Sequence, residues 1–137
     1  MTQKQIIKDT MFLSQKSIPA TPADLKDATD LTDTLIANQN KAAGLAANMI
    51  GVQKNIIAFF AGPVTMVMFN PKIIAKSGEY EAQEGCLSLT GQRPTKRYRE
   101  ITVEFQNYNF ETITQTFTDF IAEVIQHEID HTNGIII

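Results

Sequence analysis

The sequence predicts an α+β fold in which antiparallel β-sheets pack around a central, C-terminal helix. Three observations carry this: helical periodicity near the start, short β-branched and aromatic runs in the middle, and a second helical pattern at the end. That order differs from the regular strand–helix alternation of a parallel α/β protein. With 137 residues the chain suits one hydrophobic core, so a single domain over residues 1–137 is expected.

TPAD, Thr21 to Asp24, reads as a helix start, with Thr21 as cap and Pro22 at the first helical position. Leu25, Ala28, Leu31, Leu35 and Ile36 recur at helical spacing, which predicts a helix from about Pro22 to Asn40. A small-residue segment follows, AAGLAANMIG, Ala42 to Gly51. From Asn55 the runs NIIAFF, VTMVMFN, PKIIAKS, ITVEFQN and FETITQTF read as strands. Gly62-Pro63, Asn70-Pro71 and Tyr108-Asn109 mark turns between them. Glu104 between Val103 and Phe105 gives the alternation of a half-exposed antiparallel strand. The closing segment, DFIAEVIQHEIDHTNG, puts Phe120, Val124, His127, Glu128 and His131 on one helical face, with Gly134 placed to end the helix.

Composition narrows the function classes. Hydrophobic residues make up 43% and charged residues 20%, as in ordinary soluble domains. A net charge of -3 argues against a chain-wide nucleic-acid footprint, so no specific DNA binding is expected. The longest apolar run, around IIAFFAG, has only strand length, and no membrane association is expected. The start, MTQKQIIKDT, lacks a basic stretch followed by an apolar one, so no secretory leader is expected. A lone cysteine, Cys86, makes no internal disulfide and fits a reducing compartment such as the cytoplasm.

The chemistry concentrates in QHEIDH. His127 and His131 are four apart, so on a helix their rings leave the same face about one turn from each other. That spacing lets two imidazoles share one metal ion while the adjacent Glu128 serves as a base. The chain continues only six residues past His131, so a third ligand has to come from upstream. Cys86 in EGCLS is the one soft ligand there, and Glu84 is a second candidate. A thiolate with two imidazoles suits Zn²⁺ or Fe²⁺ and leaves a fourth position open.

EGCLSL and QHEIDH, preceded by AAGLAANMIG, resemble the three motifs of the peptide deformylase family, GxGxAAxQ, EGCLS and HExDH, in order and spacing. The resemblance runs from about Leu35 to the C-terminus, and the second and third motifs match in full. It implies a small α+β fold, a ferrous ion replaceable by Zn²⁺ or another divalent metal, and N-formylmethionyl nascent peptides as substrates. By the same resemblance, Cys86, His127 and His131 hold the metal, Glu128 acts as general base and acid, and the Leu87 backbone N–H holds the formyl oxygen. Ala43 and Gly44 match the strand edge along which the substrate backbone pairs, where small residues allow close approach. Glu84 and Gly85 are expected beside the substrate, and Arg93, seven residues past Cys86, near its downstream backbone or carboxylate. Asp130 is expected to support the site without ligating. The basic run RPTKRYRE, Arg93 to Glu100, is expected as a solvated hairpin or loop, with transient ribosome contact as its functional reading.

The first motif departs from the family pattern. Ala42 stands at its first glycine and Met49 at its glutamine. The glutamine amide donates to a developing oxyanion, and a thioether cannot donate. The segment IIKDTMFLSQKS also lacks the family's proline–aspartate opening. The sequence thus reads as a divergent, deformylase-like enzyme of reduced activity. The second reading is a metal-binding paralogue that serves as a binding or regulatory module; Met49 supports it and the intact Glu128 opposes it.

Overall fold

Local chemistry decides where the first helices begin. A computed structural model describes residues 4–86 and 89–135, with 89 and 90 by their backbone alone. Asp9 caps a short helix α1 (Thr10–Leu13) that the polar N-terminal sequence did not announce. Thr21 caps as expected, its side chain accepting from the Ala23 N–H, but the first turn, Pro22–Asp24, is 3₁₀. Helix α2 then spans Leu25–Ala37, shorter than the periodicity predicts. Its buried stripe is Ala28, Leu31, Thr34 and Leu35, whereas Leu25 and Ile36 face outward.

Among the described residues five strands form a single antiparallel sheet, β1 (Gly44–Ala46), β2 (Ile56–Ala61), β3 (Val64–Cys86), β4 (Leu89–Gln106) and β5 (Thr112–Thr118), in sequential order. Ile56 to Phe59 of β2 are all buried. Successive strand residues face opposite sides, so β2 must be covered on both, and α2 and α3 (Asp119–Thr132) both pack on it. Ile101, Val103 and Phe105 of β4 are buried and Glu104 is exposed, as the alternation predicts.

Two expectations need correction. Asn70-Pro71 is not a turn between strands, because VTMVMFN and PKIIAKS both lie in β3. The ladder instead shifts register between Phe69 and Lys72, with one extra residue on β3. Asn70 takes φ 53 there, a conformation Asn tolerates, and Pro71 has no N–H to offer the ladder. The Asn70 side chain fixes the bend: its Oδ1 accepts from Ala20 N at 2.7 Å and its Nδ2 donates to Ala20 O at 3.0 Å. The second correction concerns RPTKRYRE, expected as a solvated hairpin or loop: it is a strand of a hairpin, as one of those readings has it, but its Arg97 is buried. It belongs to β4 and pairs with β3 from Glu84↔Arg93 to Ser77↔Glu100. The pairing with β3 supplies the backbone partners that the charged side chains gave no hint of.

Helix α3 packs against β1, β2, β4 and β5. Its end is a Schellman motif, with Gly134 N–H bonded to His131 O and Ile135 N–H to Asp130 O, both at 3.0 Å. Gly134 has φ +78, and a Cβ there would lie 2.4 Å from the Ser14 carbonyl oxygen, so only glycine fits.

Candidate metal centre

Two elements converge to build the site. The last residues of β3, Glu84 to Cys86, come to α3, where Glu84 is bonded to His127, while β4 of the same hairpin packs on that helix. The ligand atoms of Cys86, His127 and His131 lie within 4.8 Å of one another, and the two histidine Nε2 atoms are 2.9 Å apart. Ligands at roughly 2.0–2.3 Å from a shared tetrahedral ion sit roughly 3.3–3.8 Å apart. The three donors therefore fit a small divalent ion after modest adjustment. A thiolate and two imidazoles with one position open are the donor set of a catalytic site.

Glu84 does not stand among the ligands. Its Oε1 accepts from His127 Nδ1 at 2.7 Å, which leaves Nε2 as the ligating nitrogen. Arg97 grips the same carboxylate, Nη2 to Oε1 at 2.7 Å and Nε to Oε2 at 2.9 Å, and reaches Asp130 Oδ2 through Nη1 at 2.6 Å. Burial alone would raise the Glu84 carboxyl, but the bonds from His127 and Arg97 hold it down at about 2. Burial likewise disfavours a charged His127, yet Cys86, Glu128 and Glu84 around it push its pKa up to about 10. Burial and the charge of His127 push His131 the other way, to about 3. Asp130 supports the site through Arg97, as expected of it.

Glu128 is a second buried carboxyl on the cleft wall. Its Oε1 has no hydrogen-bond partner among the described residues. Burial, opposed by the positive charge of His127, raises its pKa to about 7. An unpaired carboxyl tuned to neutral pH beside a metal-ligand cluster suits a proton carrier.

The cleft itself encloses about 520 Å³ and is lined by Ala43, Gly44, Glu84, Gly85, Cys86, His127 and Glu128, with Phe120 and Val124 on the α3 side. Phe120 is 63% exposed, an apolar wall with no occupant from the chain itself. Gly44 sits on β1, at the edge of the sheet, where a Cβ would lie 2.8 Å from Val124 Cγ1 and 3.2 Å from Glu128 Cγ. Gly44→Ala is therefore expected to push Val124 and Glu128 aside and lower turnover at least tenfold. Steady-state kinetics against an unchanged metal content would check it.

Two expected residues stand apart. Met49 is buried at 2% exposure, and its sulfur accepts from the Ala46 N–H at 3.5 Å. Arg93 pairs across the hairpin from Glu84, and neither it nor Met49 is among the residues that line the cleft. Leu87 lies outside the described residues. The residue that the sequence did not single out is Arg97. The available signal was charge balance, since Glu84 and Asp130 flank the ligands and RPTKRYRE supplied four cations nearby.

Residues 4–137 match the family model for polypeptide deformylase. The chain is 51% identical over 134 residues to a peptide deformylase of Clostridium beijerinckii, covering 98% of both chains. It is 37% identical over 140 residues to peptide deformylase 2 of Clostridium acetobutylicum, covering 99% of this chain and 93% of that one. Among solved structures, an actinonin-bound class I type b peptide deformylase from Acinetobacter baumannii superposes with TM-score 0.88 at 25% identity, covering 99% of this chain and 96% of the other. The peptide deformylase of Thermotoga maritima gives 0.85 at 26%, covering 99% and 94%. Near-complete matches in sequence and in fold, on a chain whose Cys86, His127 and His131 donor atoms come together, show that this protein belongs to the polypeptide deformylase family of metal-dependent hydrolases.

Proposed function

We propose that this deformylase holds one ferrous ion on Cys86, His127 and His131 and uses Glu128 to move the proton during removal of formate from N-formylmethionyl nascent peptides. The observation that carries the roles is the Glu128 Oε1, without a partner among the described residues, on the wall of the cleft that Cys86 and His127 also line. The ion supplies Lewis acidity and brings a water toward ionisation near neutral pH. Glu128 accepts the proton as water adds to the formyl carbon. It returns the proton to the nitrogen as the C–N bond breaks, so formate and a free amine leave.

The chain's own surfaces position the peptide. β1 is an edge strand with a glycine at the cleft, and an extended peptide can add beside it through backbone bonds. Phe120 and Val124 give the first side chain an apolar seat. Arg93 is kept for the downstream carboxylate only through a substrate that reaches past the cleft. Arg97 is withdrawn into the site, so transient contact with the ribosome in the cytoplasm falls to exposed Lys96 and Arg99.

Met49 sets the expected rate. Its sulfur accepts a bond and cannot donate one, so the oxyanion relies on backbone donors, with the Leu87 N–H proposed as one of them. Losing one oxyanion donor costs on the order of 100- to 1000-fold in rate. Iron-loaded protein, prepared without oxygen and assayed on a formyl-methionyl tripeptide, is expected to turn over slowly. Met49→Gln is expected to raise kcat at least tenfold with little change in KM. Equal kcat values for the two proteins would remove Met49 from the account.

A further inference from the structure

The two histidines are supported differently. Glu84 holds the His127 ring through Nδ1, but His131 Nδ1 is buried with no hydrogen-bond partner among the described residues. The side chain that reaches the His131 backbone is the fully buried Asn48, in the 3₁₀ turn Ala47–Ile50. Its Nδ2 donates to the His131 carbonyl at 2.8 Å, across 83 positions of sequence. A carbonyl oxygen only accepts, so the orientation of the amide is settled. That carbonyl also takes the Gly134 N–H, so Asn48 fastens the last turn of α3 at the residue that carries the ligand.

The other end of the same amide is equally informative. Asn48 Oδ1 is buried and has no partner among the described residues. Two buried polar atoms left open on residues already bonded to each other are costly. They become complementary once His131 ligates through Nε2, because the ring proton then sits on Nδ1 and needs an acceptor.

We propose that Asn48 is the positioning residue for His131, holding its carbonyl through Nδ2 and its ring Nδ1–H through Oδ1, directly or by one shared water. The proposal rests on His131 being a metal ligand. Cobalt affinity, measured by chelator competition and by the visible absorption of the bound ion, separates the two ideas. If wild type binds no cobalt in a thiolate- and imidazole-coloured site, the ligand assignment fails first. If it binds, Asn48→Ala is expected to weaken binding about 10- to 100-fold and to alter the spectrum. It should also cut the gain in Tm that cobalt gives, whereas a merely structural role would lower Tm equally with and without the ion. Cobalt affinity within about threefold of wild type would overturn the proposal. Should Asn48→Ala not fold, nitrogen-15 NMR of histidine-labelled, zinc-loaded wild type decides. A slowly exchanging His131 Nδ1–H supports the role of Asn48, and one exchanging as fast as free imidazole overturns it.

Discussion

Glu128→Ala is expected to lower kcat by a factor on the order of 100 to 10,000, the usual worth of a positioned general base, while the bound metal stays at one ion per chain. The carboxyl makes no hydrogen bond through Oε1 to the described residues, so its removal strips the cleft of a proton carrier without unpinning a ligand. The pH profile gives an independent reading. A base works ionised, so activity should climb with pH through the carboxyl's pKa and then level off. Burial pushes that pKa up to about 7, and a cation beside it favours the ionised form, so the acidic limb belongs below 7. Glu128→Gln should lose the limb along with the activity. Residual activity within tenfold of wild type would show that another group carries the proton.

Arg97→Ala has the second largest expected effect, this time on the fold. Arg97 is 3% exposed and neutralises Glu84 and Asp130 at once. Removing one partner of a buried ion pair leaves uncompensated charge and costs about 3–5 kcal/mol. The sign with pH follows from Glu84. Its folded pKa is depressed to about 2 from 4.5, so its contribution is present above pH 4.5 and fades only as pH falls toward 2. Without Arg97 the depression shrinks, and acid unfolding should begin at higher pH than in wild type. Urea unfolding at neutral pH and again near pH 4 would measure both effects. Arg97→Lys should rescue little, since an ammonium cannot span two oxygens of Glu84 and reach Asp130 as well. An unfolding midpoint equal to wild type would mean that the network is not stabilising.

How much of this was legible in the sequence depends on the range of the interaction. HExxH on a helix is local information, since a spacing of four fixes the direction of both rings before any tertiary contact forms. The same holds for the Thr21 cap, for the Gly134 terminator, and for the alternation around Glu104. The Asn70-Pro71 pair shows the limit of local reading. Its dipeptide chemistry is that of a turn, but continued pairing of β3 with β4 turned it into a bulge.

Sequence alone therefore determined the fold class and singled out Cys86, His127, His131 and Glu128, whose Cys and His donor atoms the fold brings within 4.8 Å of one another, because motif spacing and helical periodicity encode them directly. Tertiary structure decided the supporting shell. Glu84 moved from candidate ligand to the partner of His127 Nδ1, and Arg97 left a solvated-looking run to become a buried counter-ion. Asn48 came to hold a carbonyl 83 residues away. Each of these depends on which charged and polar groups burial forces together. That is a matter of distance in space, and no sequence period reports it.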